Sequence, residues 1–174
     1  MRAAQGLLEV HPVAHLVTVR TDTWHDRDRV VLVGDACHAV TPFYGQGMNA
    51  AFEDCVVLDE CLAEFGDDRT RAFAEYFARR KANGDALADL AVQNFVEMRD
   101  KTASPAFRAK KKLDHALERL LPGTYLPLYT MVSFTRIPYA EAARRAQRQD
   151  LIVYSALGLL ALLAAVLLLT AVLR

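Results

Sequence analysis

The sequence predicts an α/β architecture: the end of a sheet, then a mainly α-helical half and a transmembrane helix. Two short segments rich in β-branched residues, AHLVTV at 14–19 and VVLVG at 30–34, have the composition and length of strands. After Gly47 the apolar residues take a helical spacing. From Leu151 to Leu173 the chain runs for 23 residues without a charge.

The two strand-like segments predict the last strands of a sheet. The segment at 30–34 is apolar enough to be covered on both faces, as in a parallel sheet. Two strands do not make a sheet, so we expect further strands outside this sequence. The chain is therefore expected to be part of a longer or split protein.

Helical patterns follow the second strand. Met48, Ala51, Phe52, Cys55 and Val56 have the spacing of one apolar helical face, and Gly66 is expected to end that helix. Further helices are predicted at about 69–82, ending at Asn83-Gly84, at about 85–101, and from Pro105 to Pro122-Gly123.

The uncharged segment 151–173 predicts a membrane anchor. At 1.5 Å per residue it spans roughly 34 Å, which exceeds a hydrocarbon core of about 30 Å. Arg144, Arg145 and Arg148 precede it, whereas only Arg174 follows. The positive-inside tendency therefore predicts a single-pass C-terminal anchor with the preceding part in the cytosol. The membrane would be the mitochondrial outer membrane in a eukaryote and the inner membrane in a bacterium.

Charge and cysteine content argue against two other classes of protein. The 21 basic and 21 acidic side chains cancel, so no nucleic acid partner is expected. Cys37, Cys55 and Cys61 have no CxxC spacing, and His38 has no second histidine or acid at metal-ligand spacing. We therefore predict neither a disulfide framework nor a metal site.

The segment GDACHAVTPFYGQGMN at 34–49 is the best candidate for a ligand site. Asp35 follows a strand, where a carboxylate can accept hydrogen bonds from ribose or ribityl hydroxyls, although it could also serve as a turn or helix cap. Gly45 and Gly47 allow a ligand to approach the backbone closely. The first amides of the helix, near Met48 and Asn49, offer the positive end of its dipole.

This segment resembles a known family. GDACHAVTP matches the GD(x)6P motif of the class A flavin-dependent aromatic hydroxylases, and PFYGQGMNAAFEDC continues their pattern. NFVEMR at 94–99, LPLYTMVSFTRIPYAEA at 126–142 and the apolar C-terminus are similar to the kynurenine 3-monooxygenases among them. The resemblance, from about Val30 onward, implies an α/β flavoprotein-monooxygenase fragment. Residues 1–66 would end the FAD-binding domain, 67–150 would form a helical substrate-side region, and 151–173 the anchor.

The resemblance also implies roles for individual residues. It implies no catalytic side chain, because the flavin carries out the oxygen chemistry. Phe43, Asn94 and Tyr129 would contact substrate, although from the sequence alone Asn94 could be satisfied by nearby backbone and Tyr129 could be core. The residues expected to bind FAD are Asp35, Pro42, Gly45, Gln46, Gly47, Met48 and Asn49.

The implied activity is hydroxylation of L-kynurenine to 3-hydroxykynurenine with FAD, NADPH and O2. Two alternatives remain: the same chemistry on another aromatic, and an inactive tail-anchored remnant or interaction protein. The sequence contains no GxGxxG, the motif that receives the ADP half of FAD. We therefore expect the chain alone to hold FAD weakly, to be inactive by itself, and to need a separate N-terminal half.

Overall fold

The computed structural model describes residues 15–173, and the chain divides into two compact units, Met1–Lys81 and Ala82–Arg174. The first unit contains β1 (His25–Asp26), β2 (Val30–Val31), α1 (Asp35–His38), α2 (Gly47–Phe65) and the start of α3 (Arg69–Val96). The second contains the rest of α3, a π-helical turn (Glu97–Lys101), α4 (Pro105–Leu120), α5 (Leu128–Phe134) and α6 (Tyr139–Val172).

The β-structure is smaller than the sequence predicts. β1 and β2 form an antiparallel pair with His25 opposite Val31. Residues 15–19 of the first predicted strand are not a strand, and residue 14 lies outside the described residues. The second predicted strand is confirmed only at Val30–Val31, and Val30 is 52% exposed rather than covered on both faces. Within residues 15–173, β2 has one partner strand, so a longer ladder is not supported there.

The core of the first unit forms around Trp24, which is 1% exposed. Its ring packs 5.8 Å from that of Tyr76 on α3, and its Nε1 donates to the Thr21 carbonyl at 3.0 Å. The Tyr76 hydroxyl donates to the Leu32 carbonyl at 3.2 Å. This core therefore holds α3 against the segment that leads out of β2.

Helix α2 begins and ends as predicted, but it buries a different face. It starts at Gly47 and is followed by Gly66 at φ 56°. The predicted apolar face is wrong: Met48, Phe52 and Val56 are 69%, 62% and 58% exposed. The buried residues of α2 are instead Ala50, Asp54 and Cys61. Apolar residues occur on more than one side of this helix, so spacing alone selected the wrong side.

The predicted break at Asn83-Gly84 is also wrong, because α3 is continuous from Arg69 to Val96. Gly84 costs about 1 kcal/mol relative to alanine inside a helix, which tertiary contacts offset here. Gly84 is buried, and the side-chain oxygen of Asn83 accepts a hydrogen bond from the Ala140 amide at 3.2 Å.

The predicted helix from Pro105 is confirmed and is capped by Ser104, whose Oγ accepts from the Phe107 amide.

In the second unit the loop between α4 and α5 is fastened to α6. The Gln149 side chain bonds both the amide and the carbonyl of Leu126, at 3.3 and 2.8 Å. Arg145 donates to the carbonyls of Gly123 and Thr124 at 3.1 and 3.0 Å.

After Gln149, α6 continues into the predicted span. Among the described residues it is long and apolar enough to cross a membrane, with a mean hydropathy of 2.7 and no buried residue in its most apolar part.

Candidate functional site

The site begins at the corner where the segment after β2 turns into α1. Gly34 adopts φ 62° and ψ −135°, a conformation that is essentially restricted to glycine. A Cβ on Gly34 would lie 3.1 Å from the Cβ of Ala51, so the corner approaches α2 more closely than a side chain allows. Asp35 follows and is exposed. The glycine of the GD pair therefore has a definite role, which is to bring the Asp35 carboxylate beside α2.

The loop that follows returns the chain to the start of α2. Gly45 has φ 67°, and its amide donates to the Pro42 carbonyl at 3.2 Å. Helix α2 then starts without a side-chain cap. Asn49 donates to the side-chain oxygen of Gln46 at 2.8 Å, so these two side chains bond each other. The first turn of a 19-residue helix therefore offers its backbone amides at the end of this loop.

The corner, the loop and the helix start enclose an open depression of about 470 Å³. Five of the seven residues predicted to bind cofactor line it, whereas Gln46, Asn49 and the predicted substrate residue Phe43 do not. Asp35 bounds one side and Met48, 69% exposed, lies at the helix start. The lining residues are Asp35, Val40, Pro42, Gly45, Gly47, Met48 and Ala51.

A buried charge network that the sequence analysis missed lies behind this depression. The Asp54 carboxylate on α2 is fully buried and contacts His38 Nε2 at 2.5 Å and Arg80 Nε at 2.7 Å. The same carboxylate accepts a hydrogen bond from the Gly34 amide at 3.0 Å. Arg80 extends the network to Glu53 at 2.7 Å. Asp54 thus joins the corner, α1, α2 and α3.

The electrostatics of this network favour the charged forms of its members. Burial alone would lower the pKa of His38, but the hydrogen bond and charge of Asp54 outweigh it and raise the pKa to about 10. Burial would raise the pKa of Asp54, and the hydrogen bonds from His38 and Arg80 reverse this and lower it. At neutral pH the network is therefore an ionised carboxylate between two cations.

Cys37, His38 and Asp54 offer potential ligand atoms that lie within 4.8 Å of one another. Two of those atoms, His38 Nε2 and Asp54 Oδ2, already bond each other directly, and Cys37 Sγ donates to the Gly34 carbonyl at 3.2 Å. These contacts give the cluster a structural role. The sequence-based expectation that the chain has no metal site stays a prediction.

The two substrate residues predicted farther along the chain belong to the second unit. Asn94 on α3 is half-buried, and its Nδ2 lies 3.8 Å from Met98 Sδ, which is on a 56% exposed side chain. Leu90, one turn earlier on α3, is 4% exposed, so Asn94 lies where the buried side of the helix ends. Tyr129 is 52% exposed, with its ring 6.0 Å from that of Phe134.

Comparison with known proteins agrees with the resemblance seen in the motifs. Residues 8–91 match a family model described as an FAD binding domain. The chain is 57% identical over 158 residues to a kynurenine 3-monooxygenase of Salinispora tropica, covering 89% of this chain and 35% of the relative. A kynurenine 3-monooxygenase of Dictyostelium discoideum is 44% identical over 146 residues, covering 77% of this chain and 32% of the relative.

A third relative, the kynurenine 3-monooxygenase of Salinispora arenicola, is 59% identical over 140 residues, covering 80% of this chain and 31% of the relative. The predicted resemblance to these enzymes is thus confirmed. The chain spans about a third of the length of the relatives it matches.

Proposed function

Because this chain resembles kynurenine 3-monooxygenases over most of its length, we propose that it forms the flavin-ring side of such an enzyme. The complete enzyme would hydroxylate L-kynurenine to 3-hydroxykynurenine with NADPH and O2. The observation that carries the proposal is the depression between Asp35 and the start of α2, which lies within the segment that matches an FAD binding domain.

The residues around the depression fit one part of an FAD molecule. The exposed Asp35 carboxylate can accept hydrogen bonds from ribityl hydroxyls. The uncapped first turn of α2, at Met48 and Asn49, offers amides and a positive helix end to negative charge on the flavin ring. When bound, FAD supplies the redox and oxygen chemistry, with NADPH as the reductant.

Other residues of the chain would shape the site around the ring. Pro42 lines the depression and Phe43 follows it in the same loop, where apolar side chains would help to exclude water from the reaction. Gly45, at φ 67° with nothing near the position of a Cβ, leaves room for a ligand against the backbone. Asn94 is half-buried and Tyr129 is exposed, and we assign both to substrate binding.

A fusion protein tests this proposal. The part of the Salinispora tropica relative outside the matched region would be joined to this chain, and FAD content, NADPH oxidation and 3-hydroxykynurenine formation would be measured. We expect activity that depends on kynurenine. A fusion that retains FAD and hydroxylates a different aromatic, but not kynurenine, would overturn the assigned substrate.

The Asp35→Ala variant of the same fusion tests the cofactor site. Loss of a charged hydrogen bond to FAD is expected to weaken its binding roughly 10- to 150-fold. Asp59→Asn, an exposed acid on α2, is the matched control and should retain FAD. Equal FAD affinity in both variants would contradict a role for Asp35 in FAD binding.

The second part of the proposal is that residues 151–173, which α6 spans as far as Val172, anchor the enzyme in a membrane, with the preceding part in the cytosol. The segment is apolar and unburied, and three arginines precede it within the same helix. Deleting residues 151–174 is expected to release the chain from membranes into the supernatant of a carbonate wash. A truncated chain that still sediments with the membranes would contradict the anchor.

A further inference from the structure

Helix α4 carries a basic stripe along its exposed face. Its members have the i, i+3, i+4, i+7 and i+11 spacing of a single helical face, and all are exposed. Asp114 falls on another side of the helix, whereas Glu118 borders the stripe and lies 3.6 Å from His115. The residues of this basic stripe are Arg108, Lys111, Lys112, His115 and Arg119.

The side of α4 next to the stripe is occupied by contacts within the second unit. Asp114 is 7% exposed and accepts a hydrogen bond from the Tyr125 hydroxyl at 2.6 Å. Glu118 accepts from the Thr130 hydroxyl at 3.1 Å. These contacts fix which side of α4 packs inward, and they leave the basic stripe available to a partner.

One contact lies between α4 and the part of α6 that precedes its apolar segment. Lys110 Nζ lies 3.0 Å from a carboxylate oxygen of Asp150 and 3.1 Å from one of Asp114. Asp150 immediately precedes the uncharged segment 151–173. Lys110 of α4 therefore lies at the level where the proposed span would enter the bilayer, which is the level of the lipid headgroups.

The charge in this region is unbalanced, although the whole chain has no net charge. The helical segments 105–120 and 139–150 together carry eight basic and four acidic side chains. Some of the basic groups have acidic partners, such as Lys111 with Glu97 at 3.6 Å. Arg108, Lys112 and Arg148 have no acidic partner within 4.0 Å among residues 15–173. The excess positive charge is thus available for an external anion.

We propose that the basic stripe of α4 binds the headgroups of anionic phospholipids in the bilayer that α6 enters. The inference rests on the proposed membrane anchor. Basic clusters next to a span gain about fivefold in affinity for anionic lipid per Lys or Arg near the surface. The stripe would supply a second membrane contact, which orients the second unit on the bilayer surface in addition to anchoring it.

The test uses the full chain in detergent, titrated with fluorescently labelled phosphatidylglycerol or phosphatidylcholine and followed by fluorescence polarisation. We expect tighter binding of phosphatidylglycerol, weakened as salt is raised to about 0.5 M. Lys112→Gln should weaken that binding about fivefold, and Arg108→Gln with Lys112→Gln about 30-fold. Neither variant should change the affinity for phosphatidylcholine.

Arg136→Gln is the matched control, because it removes one exposed positive charge from the same unit. Arg136 precedes α6, whose first residue, Tyr139, lies about 16 Å along the helix axis from Asp150, about twice the screening length at physiological salt. The control should keep its phosphatidylglycerol affinity within twofold. A control that loses as much affinity as Lys112→Gln would indicate attraction by net charge alone and would overturn the site.

Two further outcomes separate this inference from the anchor. A chain that resists carbonate extraction but binds both lipids equally would refute the basic stripe and leave the anchor intact. A chain that carbonate extracts from membranes would overturn the anchor, and the inference with it.

Discussion

Replacing Asp54 by asparagine is expected to destabilise the first unit by about 3 to 5 kcal/mol. The substitution keeps the shape of the side chain and removes its charge. The carboxylate bonds His38, Arg80 and the Gly34 amide at once, and asparagine has a single oxygen to accept from these three donors. Arg80, 5% exposed, would remain buried beside a neutral amide.

The magnitude follows from burial rather than from the number of contacts. An exposed ion pair contributes at most about 1 kcal/mol, because water screens the attraction and solvates the partner when the pair is broken. Asp54 is fully buried, so removing its charge leaves a cation without solvent or counterion on that side. Glu53 is 47% exposed, and Glu53→Gln should therefore cost less than about 1 kcal/mol although it bonds the same arginine.

Trp24 provides the assay. It is the one tryptophan of the chain, it is 1% exposed, and its ring lies 5.2 Å from that of His38. Urea unfolding of the full chain in detergent, followed by tryptophan fluorescence, therefore reports on the core that contains the network. The midpoint and the slope of the transition give the free energy of unfolding for each variant.

Asp59→Asn is the matched control, since it removes one acid from the exposed side of the same helix. It should change the free energy of unfolding by no more than about 0.5 kcal/mol. A loss below about 1 kcal/mol in Asp54→Asn, or equal losses in Asp54→Asn and Asp59→Asn, would refute the view that this network holds the corner against α2.

The remaining predictions concern the same unit and the substrate side. The raised pKa of His38 contributes stability that is fully present below about pH 6.5 and is lost as the pH rises through about 10, so urea midpoints should fall across that window in the parent chain. His38→Gln should remove this slope, and an unchanged slope would contradict the assignment. Gly34→Ala should cost more stability than Gly66→Ala: both have positive φ, at 62° and 56°, but only at Gly34 does a Cβ meet Ala51, at 3.1 Å. We expect a loss of about 1 to 3 kcal/mol in the free energy of unfolding from backbone strain in each variant, and a further loss in Gly34→Ala. Equal losses in the two variants would show that the contact with Ala51 does not restrict Gly34. In the active fusion, Asn94→Leu should lower kcat/KM for kynurenine roughly 5- to 150-fold at unchanged FAD content, and unaltered kinetics would remove Asn94 from the substrate site.

The parts of the fold that local chemistry determines could be predicted from the sequence. The starts of α2 and α4 and the end of α2 depend on Gly47, Pro105 and Gly66, which act within one turn of their own position. The long uncharged helix could be predicted as well, because its own composition indicates it. The continuity of α3 could not, because it depends on a contact between Asn83 and Ala140, 57 residues away.

The candidate site shows the same division. Asp35, Pro42 and Gly45 are close in sequence, so their proximity was predictable. The network behind them joins Asp54 to residues 16 and 26 positions away, and no sequence-based prediction included Asp54. The available signal was its spacing from Ala50, which places a carboxylate on the helix face that the structure buries.

The continuity of α6 has a mechanical consequence for the second unit. Its 34 residues run without interruption from Tyr139 to Val172, about 51 Å, and pass through Gln149, which bonds the backbone of Leu126. An apolar segment longer than the hydrocarbon thickness of its bilayer tilts to match it. Because the helix is continuous between Gln149 and the apolar segment, a thinner bilayer around the proposed span would tilt the loop at 121–127 together with the span. Under the proposed anchoring, lipid thickness would therefore set the angle at which this unit faces the membrane.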